Sequence, residues 1–240
     1  MTMYFQGFVI PVKTGNKQAY LDMAKKAAAI FAEYGATRSV ECWGDDVMDG
    51  KITDLKKAVQ ANDDETVVFS WVCWPDKPTC DAAAGKIMTD DRMRPDGPMP
   101  FDGQRLIYAG FEANFDTGDG DRFSYVDGMV ASVPDGNRQK FIDHAAKTAK
   151  FFQEKGARRL VDGWGADVPT GKVTDFKRAV QARDGETVVF GWIEWPDKPT
   201  RDLGMGALMQ DPRMRETPPA WNGQLAIFGG FTPILDTGHA

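Results

Sequence analysis

The chain has 240 residues, of which 42% are hydrophobic and 27% are charged, and its formal net charge is −6. This acidic balance, without any run of Lys and Arg longer than a pair, argues against nucleic acid or a membrane surface as a partner. No apolar stretch approaches the roughly 20 residues of a membrane-spanning helix. The cysteines are an odd set confined to the first half, unlike a disulfide framework or a zinc site. We therefore expect a cytoplasmic protein.

The sequence contains one unit twice. Residues 43–61 and 164–182 are identical at 13 of 19 positions, with a constant offset of 121. Residues 65–79 and 186–200 keep that offset and differ at only three positions, which are Ser70/Gly191, Val72/Ile193 and Cys73/Glu194. One residue is lost in a later loop, so the offset falls to 120. The repeat predicts two domains, residues 1–118 and 122–240, joined by a linker at residues 119–121.

The first unit predicts elements in the order strand, helix, strand, strand, helix, strand. Aromatic and β-branched residues at 3–12 indicate a strand, and apolar residues at helical spacing follow it. Two further strands are predicted at residues 37–43 and 66–74, on either side of an Asp/Gly-rich loop. Asp76 is a natural N-cap for the second helix, as is Asp197 at the matching position of the second unit. That helix leads through a Pro/Gly-rich loop to a last strand at Arg105–Phe111.

The second unit repeats the same order of elements. Its strands are predicted at residues 125–133, 158–164, 187–195 and Leu225–Phe231. This βαββαβ order is ferredoxin-like, and its helices cover one face of a four-stranded sheet. The other face is rich in large apolar residues, and two such faces in one chain can bury each other. We therefore predict an α+β fold in which two ferredoxin-like units form an intramolecular pseudo-dimeric barrel, as a monomer or a weak homodimer.

Four motifs resemble the YbaA-like family of domains of unknown function, family number 1428. They are ECW at residues 41–43, DGKITD at 49–54, FSW at 69–71 and FDGQRLIYAGF at 101–111. The resemblance implies single units that dimerise into an α+β barrel, so that this chain is similar to a fused dimer. The wider superfamily includes monooxygenases, isomerases, haem enzymes and ligand binders. The resemblance therefore implies a fold but no particular chemistry.

Alternation along the strands assigns side chains to the two faces of each sheet. In the third strand of each unit the smaller side chains suit the helix-covered face, so the larger set is predicted to face the barrel interior: Phe69, Trp71, Cys73, Phe190, Trp192 and Glu194. The same reasoning places residues of the other strands inside the barrel, namely Glu41, Trp43, Asp162, Trp164, Tyr4, Tyr125 and Tyr108.

Such an interior has two interpretations. Aromatic walls with a few converging acids are typical of a small-molecule site, in which the tryptophans and tyrosines bind the substrate. In the alternative, the tryptophans form a packed core and each acid is hydrogen-bonded near a barrel mouth. His144 lies on an apolar helical stripe, and we predict it to be a core residue.

The acids suggest a mechanism if the interior is a site. A carboxyl group among tryptophans is poorly solvated, which raises its pKa towards neutral and suits it to proton transfer. We predict Glu194 as general base or acid, assisted by Glu41 and Asp162, with Tyr4 or Tyr125 stabilising an oxyanion. The reaction would be of proton-transfer, isomerase, lyase or monooxygenase type, on a small conjugated or aromatic metabolite.

The alternative function is a non-catalytic small-ligand-binding or stress-response module. In either case the expected partner is a small molecule. The sequence has no Ser/His/Asp, Cys/His or two-histidine metal pattern, so we expect no metal and no cofactor. Haem is disfavoured because the predicted interior contains no histidine ligand.

Overall fold

The structure is a computed structural model that describes residues 3–95, 97–118 and 122–238. Within these ranges the first half contains four strands and three α-helices: β1 Tyr4–Lys13, α1 Lys17–Glu33, β2 Arg38–Asp46, α2 Leu55–Ala58, β3 Glu65–Trp74, α3 Lys77–Thr89 and β4 Ile107–Asp116. The described part of the second half adds four strands and four α-helices: β5 Tyr125–Pro134, α4 Arg138–Glu154, β6 Arg159–Asp167, α5 Phe176–Ala179, β7 Glu186–Trp195, α6 Lys198–Gln210, α7 Pro212–Arg215 and β8 Ile227–Asp236. The predicted linker lies outside the described residues, so the domain boundary stays a prediction.

Aspartate caps begin the matching helices of the two halves. Asp76 accepts a hydrogen bond from the Thr79 N–H at 2.8 Å, and Asp197 accepts one from the Thr200 N–H at 2.8 Å. A proline follows each cap, where its missing N–H costs nothing. The predicted order and these caps are therefore confirmed in both halves. No helix in the three described ranges is both long and apolar enough to cross a membrane.

All eight strands close into one barrel in the order β1-β3-β2-β8-β5-β7-β6-β4. Within each half the order is that of a ferredoxin-like sheet, and the halves join through two antiparallel seams, β2–β8 and β4–β6. The predicted pseudo-dimeric barrel is confirmed. The last strand of each half runs five residues further than predicted, to Asp116 and Asp236. Those extensions form the seams, because each pairs with a strand of the other half.

The barrel interior is a packed column of aromatic rings. Phe69 stacks on Phe190 with ring centroids 4.3 Å apart, and Trp71 stacks on Trp192 at 4.4 Å. Burying each such ring stabilises the fold by about 1.5–3 kcal/mol. A Cβ added to Gly7 would lie only 2.8 Å from the Phe190 ring, so the strand opposite the column needs a glycine there.

One mouth of the barrel is closed by α2 and α5. These short helices place Leu55 and Phe176, both fully buried, against the aromatic column. The segments also bond to each other: the Thr53 hydroxyl donates to the Ala179 carbonyl at 2.6 Å, and the Thr174 hydroxyl donates to the Ala58 carbonyl at 2.7 Å. The opposite mouth is polar, and its groups are described below.

Candidate functional site

Strand pairing fixes which face each acid occupies. Glu41 lies opposite Ser70, whereas Val40 lies opposite Trp71, so Val40 faces the interior and Glu41 faces the helices. Asp162 lies opposite Gly191 in the same way. The prediction that Glu41, Trp43, Asp162 and Trp164 face the interior is therefore wrong. In β2 the smaller side chains, Val40 and Cys42, face the interior, because the large rings of β3 and β7 already fill it. Alternation separated the two sets of side chains without showing which set was inside.

The tyrosines also lie outside the barrel interior. The Tyr4 hydroxyl donates to Asp167 at 2.8 Å, and the Tyr125 hydroxyl donates to Asp45 at 3.0 Å. Each bond crosses from one half to the other, so these tyrosines hold the halves together. Tyr108 lies on the outer face of β4 and is 49% exposed. The prediction that the three tyrosines line the interior is wrong.

The six residues predicted from the third strand of each half were placed correctly and are buried: Phe69, Trp71, Cys73, Phe190, Trp192 and Glu194. All of them except Glu194 belong to one contiguous hydrophobic core. Because the rings of this core are stacked on one another, the interior matches the packed-core alternative rather than a pocket. Sequence reasoning could not distinguish the two, since both need the same aromatic residues.

Glu194 lies at the polar mouth and is fully buried. One of its oxygens accepts hydrogen bonds from the Trp192 indole at 3.1 Å and from Arg38 at 3.3 Å. Burial raises the pKa of Glu194, and the positive charge of Arg38 opposes that rise. Arg38 also forms a two-pronged ion pair with Asp236, at 2.9 Å for both bonds.

The three predicted catalytic acids do not come together. Glu194 lies inside the barrel, whereas Glu41 and Asp162 lie on the outer, helix-covered faces of different halves. Glu41 and Asp162 therefore cannot assist Glu194 in one reaction centre. Each must be considered in its own surroundings.

Glu41 is a satisfied carboxyl group beneath α1. It accepts a hydrogen bond from the Tyr20 hydroxyl at 2.6 Å. Burial raises its pKa to about 7, and hydrogen bonds from Tyr20 and Ser70 oppose that rise. Its oxygens are thus engaged by two hydroxyl groups of its own half.

Asp162 occupies the matching position beneath α4 without those partners. Tyr20 is replaced by Phe141, and Ser70 is replaced by Gly191. Burial alone raises the pKa of Asp162 to about 7, and no described residue donates a hydrogen bond to its carboxyl group. A Cβ on Gly191 would lie 2.2 Å from an Asp162 oxygen, so the absence of a side chain at Gly191 leaves room for the carboxyl group next to β7.

Aromatic and polar side chains lie on the same helix-covered face of the sheet as this carboxyl. Phe141 packs against Trp164 with centroids 6.1 Å apart, and Arg138 lies over the Trp164 ring at 5.3 Å. Arg138 also donates to the Asn114 side-chain carbonyl at 2.9 Å. The Asn114 amide nitrogen is buried and has no partner among the described residues. We name the group Asp162, Asn114, Trp164 and Phe141 the α4 layer.

Sequence reasoning missed Asn114, although the repeat contained a signal. The matching residue of the first half is Ile234, so a polar group has replaced an apolar one. Asn114 lies at an irregularity in the β4–β6 pairing, next to Phe115, which is the partner of Asp162. His144, on the other flank of α4, packs its ring against Trp221 at 5.0 Å, and burial lowers its pKa.

Several solved structures share this fold. An anthrone oxidase-like protein aligns with 98% of this chain and 92% of its own, with a TM-score of 0.61 and 12% identity. A Lactobacillus acidophilus NCFM protein, provisionally named a monooxygenase, aligns with 98% of this chain and 96% of its own, with a TM-score of 0.55 and 12% identity. At these identities the likeness shows the barrel fold alone, and it extends over the fused pair of units.

Relatives with similar sequences have one unit. The protein named Uncharacterized protein YbaA in Escherichia coli (strain K12) is 54% identical over 114 residues, which are 97% of that protein and 47% of this chain. Residues 3–103 and 124–223 each match the family described as "Protein of unknown function (DUF1428)". The chain belongs to the DUF1428 family, and it contains the family's unit twice.

Proposed function

We propose that this protein is a small-molecule enzyme in which Asp162 removes a proton from a conjugated substrate bound at the α4 layer. The main support is a difference between the halves in the hydrogen-bond donors around two equivalent carboxyl groups. Glu41 has two hydroxyl donors, whereas Asp162, at the equivalent position, has neither. A purely structural carboxyl would be expected to have such donors, because a carboxyl largely removed from water without them destabilises the fold.

The free oxygens of Asp162 are what a general base requires. A base accepts the substrate proton on a lone pair, and Tyr20 and Ser70 occupy acceptor sites of Glu41 whose equivalents on Asp162 have no described donor. A base also works best when its pKa is near the operating pH. Burial brings the pKa of Asp162 to about 7, which meets this condition.

Asn114 supplies the second group that proton removal needs. When a proton leaves a carbon next to a carbonyl, negative charge develops on the carbonyl oxygen, and a nearby N–H donor stabilises it. The unpartnered amide nitrogen of Asn114 is such a donor, on the strand that pairs with that of Asp162. The flat rings of Trp164 and Phe141 favour a conjugated or aromatic substrate.

The structural neighbours support one extension of this chemistry. Two of them carry names that refer to anthrone oxidation and to monooxygenation. An anthrone is a conjugated ketone with an acidic carbon, and its carbanion can pass electrons to dioxygen. The overall change is anthrone plus dioxygen to anthraquinone plus water. We therefore take anthrone as the first probe.

The test measures dioxygen uptake by the full chain with anthrone. Asp162→Asn is expected to lower turnover by about 100-fold or more. Phe141→Tyr restores the lost hydroxyl donor and is expected to lower turnover as well, without removing the carboxyl. The matched control is Tyr20→Phe in the other half, which should leave turnover unchanged.

The opposite pattern would reject the enzyme hypothesis. If the wild type turns over anthrone and Asp162→Asn does so equally well, Asp162 is not the base. If neither anthrone nor related carbon acids are turned over but they bind with an affinity that Asp162→Asn weakens, the α4 layer is a binding site. The non-catalytic binding module would then be the better account.

A further inference from the structure

We propose that the polar mouth of the barrel holds one small hydroxyl-bearing molecule, which accepts a hydrogen bond from Trp71 and donates one to Glu194. This site is separate from the α4 layer, which lies on the outer face of the sheet. The proposal rests on two buried polar atoms that have no partner among the described residues: the Trp71 indole nitrogen and the second carboxyl oxygen of Glu194.

The two side chains meet through Trp192. Trp71 and Trp192 are equivalent residues of the repeat, and their rings stack at 4.4 Å, so the local twofold axis passes between them. The carboxyl of Glu194 accepts a hydrogen bond from the indole of that same Trp192 at 3.1 Å. The unpartnered donor and acceptor therefore belong to one small region.

The repeat explains why the two atoms are left without partners. The Trp192 indole donates to Glu194, two residues along its own strand, at 3.1 Å. Trp71 has Cys73 in that place, and burial raises the pKa of this thiol to about 12, so it stays neutral. A thiol is a weak acceptor, and the Trp71 N–H is not satisfied by it. One oxygen of Glu194 is correspondingly free, because a single indole reaches the carboxyl.

These atoms define the chemistry of the ligand. A molecule placed between them must accept a hydrogen bond from an indole N–H and donate one to a carboxylate, and a hydroxyl group does both. It must also be small, since Trp71 and Glu194 are 0% exposed and Cys73 is 4% exposed. Water and the terminal hydroxyl of a short alcohol meet both conditions. Buried waters typically make such bonds to otherwise unsatisfied groups.

The test is a crystal structure of the full chain, grown without alcohols, at a resolution that shows ordered water. We expect one oxygen-sized peak within hydrogen-bond distance of both the Trp71 nitrogen and the free Glu194 oxygen. Glu194 and Trp71 bonded directly to each other, or no peak between them, would overturn the proposal. The wild-type structure alone tests the proposal, even if the variants described next fail to fold.

Two variants and one control identify the ligands of that molecule. Trp71→Phe removes the donor and Glu194→Met removes the acceptor at similar volume, and each is expected to lose the peak. Trp192→Phe removes only the direct indole–carboxyl bond and should keep it. A peak that survives both Trp71→Phe and Glu194→Met would show that these side chains do not bind the molecule. Soaking with methanol then shows whether the site also accepts a short alcohol, by the added density of a methyl group.

Discussion

At the scale of single residues, three differences between equivalent positions shape the α4 layer. Phe141 stands where the first half has Tyr20, Gly191 stands where it has Ser70, and Asn114 stands where the second half has Ile234. The first two leave Asp162 without the hydroxyl donors that Glu41 has, and the third adds an amide nitrogen without a described partner on β4, which pairs with the strand of Asp162. The sequence contained all three differences, but they could be interpreted only once strand pairing had placed Asp162 beneath α4.

The raised pKa of Asp162 predicts a pH-dependent stability. Because its folded-state pKa of about 7 lies above the unfolded value, its contribution is fully present below about pH 4 and is lost as the pH rises through 7. Asp162→Asn cannot ionise, so it should be more stable than the wild type by about 2 kcal/mol at pH 8, allowing for partial exposure. Urea unfolding at pH 5 and pH 8 checks this. A variant equally destabilised at both values would show that the carboxyl forms bonds in the folded state.

At the scale of elements, the sequence predicted the strands and helices well and the sheet faces poorly. Helix caps and apolar spacing are local signals. The caps at Asp76 and Asp197 were predicted correctly. The face of β2 depends on its partner strand, and the seam residues 112–116 were missed because their pairing partner is in the other half. Local sequence patterns do not show which strands pair, and so they do not show which face of a strand is inside.

The β2–β8 seam contains a buried ion pair whose loss should be costly. Arg38 binds both Asp236 and Glu194. The exposed fraction of the side chain is 11% for Arg38, 18% for Asp236 and 0% for Glu194. Arg38→Met leaves two buried carboxylates without this cation, so we expect the free energy of unfolding to fall by about 3–5 kcal/mol. Denaturant titration measures the change.

The matched control lies in the other seam. Arg159 pairs with Asp116 at 2.7 Å, and neither of its two hydrogen bonds goes to Glu194. Arg159→Met should therefore cost less than Arg38→Met, and adding Glu194→Gln to Arg38→Met should recover part of the loss. Equal costs for the two arginine variants would mean that Glu194 is not stabilised by Arg38.

At the scale of the whole molecule, one chain supplies both units of a closed barrel. Two seams and the aromatic column join the halves. Fusion also removes the requirement for identical halves, so that Glu194 can occupy the position equivalent to Cys73. A symmetric dimer would place two cysteines or two buried carboxyls there.

Cutting the chain at the predicted linker tests this architecture. A protease site inserted between residues 118 and 122 should be cleaved without separating the fragments, because the seams and core hold them together. Size-exclusion chromatography is expected to show both fragments at the volume of the uncut 26.5 kDa chain. Fragments that separate into two stable folded monomers would contradict the interlocked barrel.

The most direct test of the central claim is a carbon-13 NMR titration of the Asp162 carboxyl in the wild type and in Phe141→Tyr. We expect a pKa of about 7 in the wild type, because burial is not opposed by any described donor. We expect a lower pKa in Phe141→Tyr, because the new hydroxyl stabilises the carboxylate as Tyr20 does for Glu41. A wild-type pKa near the ordinary value of about 3.9, or one that Phe141→Tyr leaves unchanged, would contradict the claim that Asp162 has been freed for chemistry.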